Sequence, residues 1–166
     1  MRTPFRRSEN FQRPKLDPHI TEEKFLQLKN KLIFLKKDLR LRLMKEVATL
    51  AEMGDLSENA AYQIAKGKLR GINQSMLEIE HQIKKAVIIQ PVMTSTGIQL
   101  GSHVTVKING IKKTYTILGS SEVDPLNNII SHNSPLGVAL IGKQVGDSFD
   151  FYVKNSMVKG EVIGLQ

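Results

Sequence analysis

Two carboxylates, Asp55 and Glu58, stand three residues apart in the stretch EMGDLSENAAYQ, residues 52–63. One apolar-periodic run precedes them and another follows, so they fall where two long helices bend into one another. Two kinds of chemistry suit the pair. Asp-x-x-Glu can start a helix, with Asp55 accepting from a first-turn N–H and Glu58 reaching back. Ser57 can serve as that cap equally well, with the helix starting two residues later. Alternatively, two carboxylates can hold a hard dication such as Mg²⁺. That ion takes about six oxygens, so the remaining ligands have to come from a partner. Both readings stay open on these residues alone.

The elements that must position the pair are legible on either side. Thr21 is the expected N-cap of a first helix, and Glu22 and Glu23 sit where the helix dipole favours acids. Phe25, Leu28, Leu32, Leu35 and Leu39 then alternate steps of three and four, the spacing of a coiled-coil seam. The pattern shifts by one position to Leu43, Val47 and Leu50, and no Pro or Gly interrupts residues 21–53. After Gly54, a second seam runs through Ala61, Ala65, Leu69, Ile72, Met76, Ile79, Ile83 and Ala86 until Pro91 ends it. A bend this short folds the helices back on each other as an antiparallel hairpin over residues 21–90. Leu32 and Ile83 then share one seam and Asp55 is exposed at the tip. Gly67 and Gly71 make the second helix the softer arm.

From Gly97 the period changes to alternation. HVTVKI and IKKTYTIL flank Asn109-Gly110, the dipeptide of a type I′ hairpin turn. Further strands and a short helical piece follow, so residues 97–166 read as a small α+β domain with a twisted antiparallel sheet. Residues 91–96 are the expected joint, and the proline-rich, basic residues 1–20 an expected flexible arm.

Composition narrows the function. The 166 residues carry a net charge of +8, which suits an acidic partner or a solvated surface equally. Residues 1–20 contribute +3, residues 21–90 +4 and residues 91–166 +1. With no cysteine there are no disulfides or thiolate metal sites. The histidines His19, His81, His103 and His132 show no ligand spacing, so no histidine metal site is expected. No run is long enough to span a membrane, no secretory signal is visible, and cytoplasm is the expected compartment. NGIKKT lacks the spacing of a phosphate-binding loop, and no nucleophile-elbow motif frames a serine. A self-contained enzyme is not expected.

GDLSENAAY between two long helices, followed by NSPLGVALIGKQVGD, resembles the Gre family of bacterial transcription elongation (transcript-cleavage) factors. The resemblance covers residues 21–166 in order. It implies an FKBP-like (FK506-binding-protein-like) C-terminal domain that docks on RNA polymerase, while the hairpin, on a monomer, enters the polymerase secondary channel. It implies further that Asp55 and Glu58 help hold a Mg²⁺ shared with the polymerase, whose own active site cuts the 3′ end of backtracked RNA. Asn59 and Tyr62 match flanking tip positions that orient the acids or the RNA. Lys66 and Arg70 match the basic side of the hairpin, although a solvated face explains them as well. Ser134 and Pro135 match the polymerase-docking loop, or an ordinary turn.

Two departures bear on subtype. Ala61 stands where many members carry an acid, and Arg40-Leu41 where many have Arg-Pro. Two other functions remain open. One is a channel inhibitor on the same fold. The other is a nucleic-acid-binding coiled coil working through the basic arm.

Overall fold

The computed structural model describes residues 17–54, 59–90, 97–154 and 156–166. The first helical run comprises α1 (Glu22–Phe34), a π-helical turn at Leu35–Leu39 and α2 (Arg40–Glu52). Thr21 caps it as expected, accepting from the Lys24 amide at 3.2 Å. The π turn is where the shift of the leucine seam is absorbed. The Arg40 amide bonds back five residues to the Leu35 carbonyl, which adds one residue to that turn. Leu35 and Leu43 are thereby both buried on the inner face, although a strict coiled-coil repeat would have turned Leu43 away.

The second helix, α3 (Ala60–Lys85), returns along the first. Leu50 meets Asn59, Arg40 Nε donates to Asn73 Oδ1 at 3.1 Å, and Lys36 pairs with Glu80 at 2.5 Å. Partner numbers rise as residue numbers fall, which is antiparallel packing. Leu32 and Ile83 are both half-buried along this seam. At the far end one expectation is corrected: Ala61 is exposed, and Tyr62 turns inward in its place. The first residue of a seam has no preceding turn to fix its phase, so the period alone left it one position off.

Gly67 and Gly71 lie in α3, where an added Cβ would meet nothing within 4 Å. Gly67→Ala and Gly71→Ala should each stabilise the protein by about 1 kcal/mol, because alanine loses less backbone entropy on entering a helix. Thermal melts of the two variants check this, and a lowered melting temperature for either would contradict it.

The C-terminal domain is a five-stranded sheet of β3 (His103–Ile108), β4 (Ile111–Leu118), β5 (Ile129–Ser131), β6 (Ser148–Val153) and β7 (Ser156–Leu165). Its order is β5-β4-β3-β7-β6. Asn109 and Gly110 have φ of 49° and 82°, the left-handed pair that a type I′ turn requires. Alternating residues bury Val104, Val106, Ile117, Phe149 and Val162 against Ile98 and against Leu140 of the short helix α4 (Pro135–Leu140). A register shift between Thr105 and Val106 bends the β3–β7 pair.

The sheet is mixed rather than wholly antiparallel, because β5 runs parallel to β4. A parallel neighbour cannot be reached by a tight turn. The chain covers the distance through residues 119–128, where Asp124 caps a 3₁₀ turn and Asn128 adopts a left-handed φ of 55°.

The two parts are fastened at the hairpin base. Here β1 (His19–Ile20) pairs in parallel with β2 (Val87–Ile88). Asp17–Ile20, expected to belong to the arm, are therefore ordered; pairing with β2 and contact with the sheet domain satisfy their polar groups. The Thr21 amide and hydroxyl donate to the two Glu122 carboxylate oxygens at 2.8 and 2.5 Å. Gly119 lets β1 approach, since a Cβ there would lie 1.9 Å from the His19 carbonyl oxygen. Residues 91–96, the expected joint, lie outside the described residues.

Candidate functional site

Asp55 and Glu58 lie outside the described residues, but the frame on both sides of them is defined. The first helix stops at Met53, and Gly54 follows with φ of 77° and its amide aimed at the Ala51 carbonyl. A glycine in this left-handed position is a common helix terminator. Across the connection, Asn59 is the N-cap of α3 and accepts from the Tyr62 amide at 3.0 Å. Its side-chain nitrogen donates at 3.4 Å to the Leu50 carbonyl, one of those in the last turn of α2 that the helix itself leaves short of partners.

One asparagine thus starts one helix and ties it to the end of the other. This overturns the capping role considered for Asp55, with Ser57 as its substitute. The missed signal was the asparagine itself, one of the strongest N-cap residues, immediately before an alanine-rich helix start.

Beyond the cap, Tyr62 is half-buried and the Lys66 ammonium lies 5.4 Å from its ring centroid. Lys66 and Arg70 are both exposed, one turn apart on α3. They add two positive charges along one stripe next to the acidic connection. Ala61 also faces outward, so it adds no charge to the surface beside that stripe.

Ser134 and Pro135 start α4. Ser134 is its N-cap, accepting from the Gly137 amide at 3.1 Å and donating to the Ser131 carbonyl at 2.6 Å. Pro135 occupies the first turn, where its missing N–H costs nothing, and its ring is exposed. Val138 is 64% exposed on the same short helix, an apolar neighbour that the sequence motif did not single out.

The residues at the hairpin base were also missed by sequence reasoning. The Asp17 carboxylate is nearly buried and accepts from the His19 amide, the His19 ring and the Ser120 amide at 3.1, 2.9 and 2.8 Å. His132 Nδ1 lies 3.4 Å from its second oxygen. Burial pushes this carboxyl up, but the bonds from Ser120 and His19 and the proximity of His132 outweigh that and bring its pKa down to about 2. Nothing in the local sequence links Asp17 to residues more than a hundred positions away.

These parts define a class: an α+β protein whose mixed sheet domain carries a helical hairpin, with two acids in the sequence that connects its two helices. Residues 19–88 match the family described as transcription elongation factor, N-terminal, and residues 93–166 match transcription elongation factor, GreA/GreB, C-term. The chain belongs to the GreA/GreB family of transcription elongation factors.

Transcription elongation factor GreA of Bacillus cereus is 33% identical over 150 residues, 89% of this chain and 95% of that protein. That of Oceanobacillus iheyensis is 36% identical over 132 residues, 78% of this chain and 84% of that protein. Among solved structures, GreA factor homolog 1 of Thermus thermophilus aligns with a TM-score of 0.41 and 22% identity, covering 90% of this chain and 99% of its own. No described helix is long and apolar enough to cross a membrane.

Proposed function

We propose that this protein binds bacterial RNA polymerase and stimulates the polymerase's own cleavage of backtracked RNA, so that arrested complexes resume. Asp55 and Glu58 would enter the secondary channel at the end of the hairpin. The observation that carries this reading is the cap at Asn59, which leaves the two acids without a helix-starting task. Carboxylate oxygens suit Mg²⁺, and two residues supply too few of them for a complete site, which fits ligands donated to a site that a partner completes. When bound, that ion would assist attack of water on the phosphodiester and departure of the leaving oxygen. Tyr62 and Asn59 hold the helix start, and Lys66 and Arg70 offer charge to the RNA 3′ segment.

The test is stalled, backtracked polymerase with end-labelled RNA, with and without the protein. Shortened RNA and resumed synthesis support the reading. Binding that slows elongation without cleavage would make the protein a channel inhibitor instead.

The sheet domain is the proposed docking element. Pro135→Ala should weaken binding to core polymerase about fivefold to tenfold, because the exposed ring is lost from the contact. Its melting temperature should barely change, since Ser134 still caps α4. A binding titration with labelled protein, run beside a thermal melt, checks both; unchanged affinity would remove Pro135 from the docking surface.

A further inference from the structure

We propose that Asp17, His19 and His132 form a Zn²⁺ site that clamps the base of the hairpin to the sheet domain. One ligand atom from each residue lies within 4.8 Å of the others. His19 Nδ1 is 2.9 Å from one Asp17 oxygen, and His132 Nδ1 is 3.4 Å from the other. Tetrahedral zinc holds its ligands at about 2.0–2.1 Å, which spaces them roughly 3.3 Å apart. The two carboxylate–imidazole spacings, each to a different oxygen, lie just below and just above this value, so small shifts of the rings and the carboxylate bring all three groups onto one ion.

The rings meet edge to face, with centroids 5.7 Å apart and planes at 79°, so both nitrogens reach the same carboxylate without stacking. Two imidazole nitrogens and one carboxylate are the donor set of an open zinc site, and Mg²⁺ and Ca²⁺ prefer oxygen donors. The Ser120 amide bonded to Asp17 Oδ2 orients the carboxylate from outside the ligand set. Side-chain exposures of 5% for Asp17, 21% for His132 and 42% for His19 leave the site open on the His19 side, where an ion enters and water takes the fourth position.

Binding needs Nδ1 of each ring free of its proton, so the hydrogen bonds these atoms make to Asp17 and, from His132, to the Leu118 carbonyl give way to metal bonds. His19 precedes the first helix and His132 follows β5. The ion would therefore hold the hairpin in one orientation on the docking domain, beside the Thr21–Glu122 bonds.

The experiment uses the full chain freed of metal with EDTA, titrated with ZnCl₂ against a chromophoric chelator, with thermal melts in parallel. One equivalent should bind and raise the melting temperature, and the same concentration of MgCl₂ should not. His19→Ala and His132→Asn should each lower zinc affinity about a hundredfold, while His81→Ala and His103→Ala leave it unchanged. Equal affinity across all four variants, or an equal loss at His103→Ala, overturns the site. Should a junction variant fail to fold, Co²⁺ added to the unmodified chain decides the matter. The intense visible bands of a four-coordinate ion support the site, and the weak absorption of six-coordinate Co²⁺ overturns it.

Discussion

Asp55→Asn and Glu58→Gln should each reduce RNA cleavage in backtracked complexes by about a hundredfold or more, with polymerase binding and melting temperature unchanged. Each substitution keeps shape and hydrogen-bonding capacity and removes one formal negative charge from the proposed Mg²⁺ site. Loss of groups that merely orient a metal ligand already costs about 10–100-fold, so loss of a ligand charge should cost at least as much. Capping cannot produce this result: asparagine caps about as well as aspartate, and the cap of α3 is Asn59. A cleavage time course at several Mg²⁺ concentrations, with melts alongside, separates the possibilities. Raised Mg²⁺ should restore part of the lost rate if weakened metal binding is the defect. Wild-type cleavage by Asp55→Asn would remove the acids from the chemistry.

Gly137→Ala should destabilise the protein by about 3 kcal/mol, lowering the melting temperature by roughly 6–12 °C. A Cβ at that position would lie 2.1 Å from the Ser131 carbonyl oxygen and 2.9 Å from the His132 Cα. Both are backbone atoms, and no rotamer change relieves the clash. The Ser131 carbonyl also accepts from the Ser134 hydroxyl, which in turn accepts from the Gly137 amide. Moving one strand of this knot releases the cap of α4 and carries Pro135 with it. Polymerase binding should therefore fall together with stability, in contrast to Pro135→Ala, where binding should fall alone. Differential scanning calorimetry and a binding titration on both variants test this contrast. A Gly137→Ala protein that melts like wild type would mean the turn can open without cost.

Neighbouring residues determined much of the architecture without help from the rest of the chain. The leucine seam, the Thr21 cap, the stop at Gly54 and the Asn109-Gly110 turn each follow from side chains within a turn or two of one another. Local sterics and period settle these wherever the segment is placed. The GDLSEN stretch likewise marked the acidic connection, although its residues by themselves favoured capping over a metal role.

Tertiary structure decided the rest. The seam shift was visible between Leu39 and Leu43, but a π turn was only one way to absorb it; packing of Leu35 and Leu43 against α3 selects it. Asn59 became the cap because it satisfies the Tyr62 amide and the Leu50 carbonyl together, and the second of these belongs to the other helix. The parallel β5 and the meeting of Asp17 with His132 depend on chain segments that converge only after folding. Spacing along a sequence carries no record of such meetings, because the contacts that enforce them are made by the packed core and not by the residues that meet.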